Sequence, residues 1–228
     1  MGDLKESKPY LIPDEGEEPD ELESDRLCEP AITYGSHSIR YSYADYLTWL
    51  DDKRREIIDG IVHLMTAART RHAKLSYRCI MKLGYFVEKR KGSCQIFPAP
   101  FDVRFPKNNI TDDNKIYTVL QPDIVVVCDP SKIDEKGCIG APDIVVEILS
   151  KSTARYDMTT KFQVYQEAGV REYWTVHQKK QQVTIYALQT DGLYDEGVVF
   201  QEGDKLSSNV LKGLRIDINE LFKDLYPG

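Results

Sequence analysis

Two short apolar runs in the second half of the chain each carry a carboxylate, and they constrain the fold more than any other feature. They are Gln121-Pro122-Asp123-Ile124-Val125-Val126-Val127 and Pro142-Asp143-Ile144-Val145-Val146-Glu147-Ile148-Leu149. Their length and β-branched content are typical of buried strands. An isolated ionised carboxylate is very costly to bury, so each needs a metal ion, a cation or a cage of hydrogen bonds. Two such strands side by side predict a divalent-metal site.

The charge of the chain is unevenly distributed. Of the 228 residues, 41% are hydrophobic and 29% charged, which is typical of a globular protein. Residues 1–30 hold 11 acidic and three basic side chains, which predicts a solvated, mobile acidic arm. Residues 31–228, predicted to form a single domain, hold 26 acidic and 27 basic side chains. The net charge of −7 therefore does not exclude a nucleic-acid partner. An arm that mimics nucleic acid and covers the site is an alternative role for residues 1–30.

Apolar runs and cysteines bear on the expected compartment. No apolar run approaches membrane-spanning length, and the N-terminus lacks the basic-then-apolar layout of a signal peptide. We therefore expect no membrane partner and a cytoplasmic location. The five cysteines form no C-x-x-C pair and are odd in number, which favours reduced thiols over disulfides. They are Cys28, Cys79, Cys94, Cys128 and Cys138.

The spacing of apolar residues predicts helices and short strands in mixed order. Steps of three and four predict a long helix over residues 70–90. An Asp59-Gly60 turn predicts a hairpin over residues 55–64. Shorter helices are predicted at 42–50, capped by Ser42, and at 157–168, with a final helical turn at 218–225. Strands are predicted at 93–105, 121–128, 143–150, 172–177, 183–188, 194–200 and 213–218. The predicted class is α/β (mixed α+β), a central mixed sheet flanked by helices with additional antiparallel strands at both ends.

The two carboxylates can meet on one patch of this sheet. Side chains alternate between the faces of a strand, so Asp123 and Glu147 converge if their strands are neighbours in suitable register. Hard cations such as Mg²⁺ prefer oxygen ligands and keep several waters, so two carboxylates and a backbone carbonyl are sufficient. Such an ion can lower the pKa of a bound water and offset charge developing on a phosphate.

A cation is available from the helix that follows. With Met158 at 0° on a helical wheel, Phe162 falls at about 40°, Tyr165 at about 340° and Lys161 at about 300°, inside the apolar arc. A lysine there must reach a buried partner or extend away to water. The carboxylate pair is the expected partner, and the ammonium could orient a nucleophilic water or stabilise a charged transition state.

These features together resemble a known superfamily. The matching segments cover about residues 40–190 and are Glu56-Ile57-Ile58-Asp59-Gly60, Gln121-Pro122-Asp123, residues 141–150, Ser152-Thr153, Tyr156-Asp157, Lys161 and residues 168–174. The chain resembles the PD-(D/E)XK nucleases, which share the restriction-endonuclease-like fold. Within that superfamily it is most similar to the Uma-type restriction endonuclease family, formerly a domain of unknown function.

The resemblance implies a function and a set of residues. It implies an endonuclease that hydrolyses phosphodiester bonds of DNA with Mg²⁺ or Mn²⁺, in which Asp123 and Glu147 bind the metal and Lys161 completes the catalytic set. One position departs from the superfamily pattern, because Leu149 stands where a lysine is expected two residues after the acid. The Uma-type proteins supply the lysine from the following helix, which points to Lys161. A homodimer fits this function, since cleavage of two strands needs two active sites.

Structural alternatives exist for the three site residues and their neighbours. Asp123 could be a turn residue before a strand, as expected for Asp143. Glu147 could form a structural ion pair with Lys161. Asp102 could line the site as a third carboxylate or pair with Arg104.

Four further residues are weaker candidates. His72 could contact a phosphate, or be an ordinary, partly buried histidine. Tyr156 and Gln163 follow with less support, and Glu56 is expected to be a strand–turn residue.

Two other functional interpretations compete with the endonuclease. One is a catalytically inactive nuclease-fold module that binds nucleic acid or protein, and the other is a structural domain with a buried salt bridge. A glycosidase would also use two carboxylates, but no aromatic-rich sugar cleft accompanies them here. No nucleotide-binding, zinc-protease or nucleophile-elbow motif is present in the sequence.

Overall fold

The computed structural model describes residues 39–225. The predicted acidic arm, residues 1–30, lies outside them, and the predicted domain 31–228 is described over that range only. None of the helices within residues 39–225 is both long and apolar enough to cross a membrane.

Five α-helical segments and fourteen strands make up the described chain. The helices are α1 (Tyr43–Tyr46), α2 (Thr70–Arg90), α3 (Ala154–Tyr156), α4 (Phe162–Ala168) and α5 (Ile218–Phe222). The strands are β1 (Arg55–Ile58), β2 (Ile61–Leu64), β3 (Gln95–Pro98), β4 (Val103–Arg104), β5 (Val119–Leu120), β6 (Ile124–Val127), β7 (Ile133–Asp134), β8 (Gly137–Ile139), β9 (Ile144–Leu149), β10 (Glu172–His177), β11 (Gln182–Ala187), β12 (Val198–Phe200), β13 (Lys205–Leu206) and β14 (Ile216–Asp217). The predicted mixed α/β class is confirmed.

Two six-stranded sheets organise the molecule. The central sheet has the order β12-β11-β10-β9-β6-β3, and the second sheet has the order β2-β1-β5-β4-β8-β7. In the central sheet β9 and β10 are parallel and the other neighbours antiparallel. The parallel pair is joined by the α3–α4 segment, as expected for a crossover that returns to the same sheet. Strands β6 and β9, which carry the acidic runs, are direct neighbours.

The core lies on both faces of the central sheet. One face, with Val126 and Val146, packs against Leu75 and Leu83 of α2. The opposite face packs against the second sheet and α4 in another apolar cluster. All residues of β6 and β9 are buried, so a carboxylate in this layer has little access to water.

Local signals placed several elements correctly. The helix predicted over 70–90 matches α2 at both ends. The Asp59-Gly60 turn joins β1 and β2, and both turn residues have positive φ. A Cβ on Gly60 would lie only 2.7 Å from that of Arg40, so the turn requires glycine. Ser42 caps α1 in a capping box with Asp45, although the helix ends at Tyr46 rather than near 50.

The long strand predicted over residues 93–105 is wrong. It divides into β3 of the central sheet and β4 of the second sheet, with Pro98 and Pro100 at the break. Proline cannot donate a ladder hydrogen bond, so a continuous strand is unfavourable there. The strand predicted over 121–128 likewise begins only at Ile124, after Pro122.

The prediction of reduced cysteines is also wrong for one pair. Cys94 and Cys128 form a disulfide between β3 and β6. Strand β3 pairs with β6 so that Gln95 faces Val127, and one further step along this register brings the two cysteines opposite each other. The pairing depends on strand register across 34 residues of sequence, which cysteine spacing does not reveal. Cys79 and Cys138 are buried free thiols.

Candidate active site

The two carboxylates of the acidic runs lie on adjacent strands. In the β6–β9 ladder Ile124 faces Val146, so one further step brings Asp123 opposite Glu147. The backbone N–H of Ile148 donates to Asp123 Oδ2 at 2.7 Å, which holds this side chain against β9. The sequence-based expectation of neighbouring strands in suitable register is therefore confirmed.

The segment after β9 is helical but not uniformly α-helical. A π-helical turn, Asp157–Lys161, separates α3 from α4, and Gly169 ends α4 in the left-handed conformation. Single π-turns within helices are frequent at functional sites. Asp157, Lys161 and Tyr165 follow at steps of four and are all buried, so this segment turns a polar face toward the sheet.

Lys161 lies at the centre of a buried carboxylate cluster. Its Nζ is 3.0 Å from Glu147 Oε1, 2.9 Å from Glu56 Oε1 and 3.7 Å from Asp157 Oδ1. All four residues are at most 4% exposed. The wheel placed Lys161 among apolar residues, and the structure shows that it reaches buried carboxylates rather than solvent.

Two more side chains hold the carboxylates of the acidic runs. The Tyr165 hydroxyl donates to Glu147 Oε1 at 2.7 Å. The His72 Nε2, at the start of α2, lies 3.0 Å from Asp123 Oδ2. Each carboxylate therefore has one oxygen engaged by protein groups. No hydrogen bond within the described residues reaches Asp123 Oδ1 or Glu147 Oε2.

Burial and mutual repulsion make ionisation of the carboxyl groups in the cluster unfavourable. Burial opposes the ammonium of Lys161, but the attraction of Glu147, Glu56 and Asp157 outweighs it and raises the pKa of this lysine well above its ordinary value. Burial raises the pKa of Glu147 well above its ordinary value, against the attraction of Lys161 and with added repulsion from Asp157, Asp123 and Glu56. Burial also raises the pKa of Asp157 to about 6. Lys161 therefore carries its charge at neutral pH, and the three carboxyl groups around it disfavour one another's ionisation.

The donor set is suited to a hard divalent cation. Asp123 and Glu147 supply carboxylate oxygens on adjacent strands, and a bound cation would relieve the burial and repulsion that raise the pKa of Glu147. Within residues 39–225, no group of three or more His, Cys, Asp or Glu side chains is arranged to hold a metal ion. A site here would rest on two carboxylates, as is usual for Mg²⁺, which retains several waters.

Asp102 and Asp143 take part in other interactions. Asp102 accepts hydrogen bonds from Tyr43 at 3.0 Å and from Gln121 at 2.8 Å, and its alternative partner Arg104 pairs with Asp134 instead. Asp102 thus belongs to a hydrogen-bonded group that adjoins the site through Gln121. Asp143 accepts from the backbone N–H of Cys128 and pairs with Arg171, in keeping with its expected structural role.

Glu56 lies in β1 beside the turn, as predicted, but its carboxylate also binds Lys161, which the prediction did not include. Asp157 and Tyr165 were also missed as polar members of the site. Two signals point to them: Glu56 precedes the apolar pair Ile57-Ile58 in a strand, and Asp157 precedes Lys161 and Tyr165 at successive four-residue steps. The contacts themselves join β1 to a helix more than 100 residues later, which local patterns do not encode.

Tyr156 and Gln163, the two candidates with the least support, lie in different surroundings. The Tyr156 ring lies 5.7 Å from Lys161 Nζ, so it borders the cluster. Gln163 is directed elsewhere and donates to Glu167 at 2.8 Å on an exposed part of α4.

Comparison with known proteins matches this architecture to one family. The family model described as "Uma2: Putative restriction endonuclease" matches residues 43–219. The "Uncharacterized protein slr1290" of Synechocystis sp. is 26% identical over 190 residues, covering 82% of this chain and 93% of that protein. The crystal structure of "a putative nuclease belonging to DUF820" from Anabaena variabilis is similar with a TM-score of 0.64 and 21% identity, covering 82% of this chain and 99% of that one. This likeness confirms the restriction-endonuclease-like fold. Because the family model spans well over half of its residues, the chain belongs to the Uma2 family.

Proposed function

We propose that this protein is a metal-dependent endonuclease that hydrolyses phosphodiester bonds of DNA. The observation that carries the proposal is the position of Lys161, which contacts Glu147 within a buried cluster while Asp123 lies on the neighbouring strand. A structural salt bridge would need one carboxylate for one lysine. Here three carboxyl groups surround the lysine, and a bound cation would relieve the burial and repulsion that raise the pKa of Glu147 and Asp157.

Asp123 and Glu147 would hold Mg²⁺ or Mn²⁺ through the oxygens that protein groups leave available. When bound, such an ion lowers the pKa of a water ligand and offsets charge on a phosphate. Lys161 remains protonated because of its carboxylate neighbours, so it acts as a fixed positive charge beside the phosphate and the attacking water rather than as a base.

The other cluster members position these three residues. Glu56 and Asp157 hold the ammonium of Lys161 from two sides. Tyr165 orients Glu147, and His72 contacts Asp123. Because reacting groups must be held within fractions of an ångström, these contacts support catalysis without touching the substrate.

Cleavage of supercoiled plasmid DNA in Mg²⁺ tests the proposal. Wild-type protein should nick or linearise the plasmid, and Lys161→Ala should not. Lys205→Ala is the matched control, because Lys205 is exposed on β13 and has no part in the cluster. Calorimetric titration with Mn²⁺ should show a site that Glu147→Gln abolishes, whereas Glu167→Gln, at an exposed position of α4, should retain it. If wild-type protein cleaves nothing across a broad panel of DNA and RNA substrates, the enzyme proposal is wrong.

A second candidate is a catalytically inactive module that binds nucleic acid or protein at the same site. It is favoured by Leu149, a buried apolar residue at the position where related nucleases carry the lysine. Binding of an oligonucleotide without cleavage under any metal would select this alternative.

Cleavage of both strands of a duplex would also favour a homodimer, since each subunit supplies one active site. Light scattering of the purified protein, with and without duplex DNA, measures the oligomeric state. A mass that stays monomeric in both conditions would exclude this arrangement.

A further inference from the structure

Arg54 is linked to the carboxylate cluster by a network of hydrogen bonds through Gln121. It precedes β1 and stands two residues before Glu56. Its Nε donates to Gln121 Oε1 at 3.0 Å. Gln121 is itself fixed, because its Nε2 donates to Asp102 at 2.8 Å and to the Tyr46 hydroxyl at 3.0 Å, and its backbone N–H donates to Glu56 Oε1 at 2.9 Å. These hydrogen bonds therefore fix the orientation of the guanidinium group.

The charge of Arg54 is not balanced within the described part of the chain. No carboxylate in residues 39–225 forms an ion pair with it, and its Nη2 is buried with no hydrogen-bond partner. Neighbouring Arg55, by contrast, pairs with Asp51, and Arg104 pairs with Asp134. Leaving a buried charged donor without an acceptor is destabilising. Arg54 thus has a binding requirement that the described structure leaves unfilled.

The position of Arg54 identifies the kind of acceptor. Gln121, which binds Arg54, stands two residues before Asp123 and donates its backbone N–H to Glu56, so the guanidinium is linked through Gln121 to the candidate metal site. A phosphate approaching Asp123, Glu147 and Glu56 is repelled by their charge and requires a compensating cation. A planar guanidinium suits this requirement, because its fork of donors matches the geometry of phosphate oxygens.

We propose that Arg54 binds non-bridging oxygens of a backbone phosphate in the nucleic-acid substrate, next to the phosphate that is cleaved. The inference rests on the proposed function for the identity of the ligand. Gln121 is then a positioning residue that sets the orientation of the guanidinium, and Asp102 and Tyr46 fix Gln121 in turn.

Salt dependence of binding tests this assignment, because each neutralised phosphate adds about 0.9 to the slope of log affinity against log salt. A fluorescein-labelled DNA duplex is titrated by fluorescence anisotropy at a series of NaCl concentrations without divalent metal. Every protein in this assay carries Glu147→Gln, so that the duplex stays intact. Arg54→Ala should reduce the slope by about one and weaken binding roughly tenfold at low salt. Arg54→Lys should retain the slope but bind more weakly, since it keeps the charge and loses the fork.

Arg55→Ala is the matched control, because this arginine is adjacent in sequence and already paired with Asp51. It should leave the slope unchanged. A purely structural Arg54 would lower affinity equally at every salt concentration, or lower the free energy of unfolding, without changing the slope. An unchanged slope for Arg54→Ala therefore overturns the assignment.

The outcomes separate this inference from the proposed function. Wild-type protein that cleaves plasmid, combined with an unchanged slope for Arg54→Ala, rejects the phosphate contact alone. A reduced slope combined with no cleavage by wild-type protein retains the phosphate contact and rejects the nuclease. If the Glu147→Gln protein has no affinity for duplex or single-stranded nucleic acid, the phosphate contact is rejected, and if wild-type protein also cleaves nothing, the nuclease is rejected as well.

Discussion

Glu56 Oε1 and Lys161 Nζ lie 2.9 Å apart, and both side chains are at most 5% exposed. The contact joins β1 of the second sheet to the helical segment that follows β9 of the central sheet. Removing one partner of a buried ion pair strongly destabilises a protein, because the remaining charge has no partner. The contact therefore couples the stability of the hairpin to the integrity of the site.

We expect Lys161→Met to lower the free energy of unfolding by about 3–5 kcal/mol, because it leaves three buried carboxylates without their ammonium. Glu56→Gln removes one of these carboxylates and should be less damaging. In the double variant the two losses should not add, with a coupling of about 0.5–3 kcal/mol. Urea unfolding of the two single variants and the double variant measures this coupling, with Lys205→Met as the exposed control. Strict additivity would show that the two groups do not interact.

Tyr165→Phe should weaken both metal binding and cleavage, because the hydroxyl that orients Glu147 Oε1 is lost. A hydrogen bond to a charged group contributes about 1.5–3 kcal/mol, so the expected loss of activity is roughly tenfold or more. Tyr194→Phe is the matched control, since its buried hydroxyl donates to the backbone carbonyl of Val170 at 2.9 Å, away from the cluster. The free energy of unfolding of Tyr194→Phe should fall slightly, while its cleavage activity persists. Equal activity losses in the two variants would contradict a specific role for Tyr165.

Stability should depend on pH through Asp157. Burial, opposed by the attraction of Lys161, raises the pKa of Asp157 from 3.8 to about 6. The folded state therefore keeps a proton that the unfolded state has already released, and ionisation of the folded carboxyl is unfavourable. Asp157→Asn imitates the protonated form, so wild-type stability should fall relative to this variant as pH rises from about 4 to about 6, by at most roughly 3 kcal/mol.

Urea unfolding at several pH values measures the difference between wild type and Asp157→Asn. Asp112→Asn is the control, because Asp112 is exposed and its hydrogen bonds from Asn114 lower rather than raise its pKa. A difference between wild type and Asp157→Asn that stays constant across this pH range would show that Asp157 does not titrate as expected.

The cysteines should fall into two chemical groups. Peptide mapping after alkylation without reductant should recover Cys94 and Cys128 as a joined pair. Burial raises the pKa of the Cys79 thiol to about 12, with a further contribution from Asp123, so this thiol should resist iodoacetamide at neutral pH until the protein unfolds. Replacing Cys94 and Cys128 together by Ser should lower the free energy of unfolding by about 2–4 kcal/mol. Recovery of both as alkylated thiols would exclude the disulfide.

Local pattern was sufficient for much of the fold. The apolar period of α2, the Asp59-Gly60 turn of the first hairpin and the buried runs of β6 and β9 all follow from spacing and composition. The same patterns failed at Pro98 and Pro100, where strands change sheet. Periodicity reports which residues face a core, but it does not report which core.

The candidate site likewise contains residues that local pattern predicts and residues that it does not. Asp123, Glu147 and Lys161 are predicted from the sequence because each is a charged residue in an apolar setting, where burial of its charge is costly. Glu56, Asp157 and Tyr165 were missed, since each reads locally as an ordinary strand or helix residue. Their roles arise only when the second sheet and the helical segment close over the central sheet.

The sequence by itself determined that two acidic strands and an inward-facing lysine must find partners, because burying charge alone is too costly. Only the tertiary structure decided that the lysine meets three carboxylates, that Arg54 is linked to them through Gln121 without a counter-ion within the described residues, and that Cys94 meets Cys128. These pairings depend on strand register and on packing between segments far apart in the chain. Local propensities specify neither.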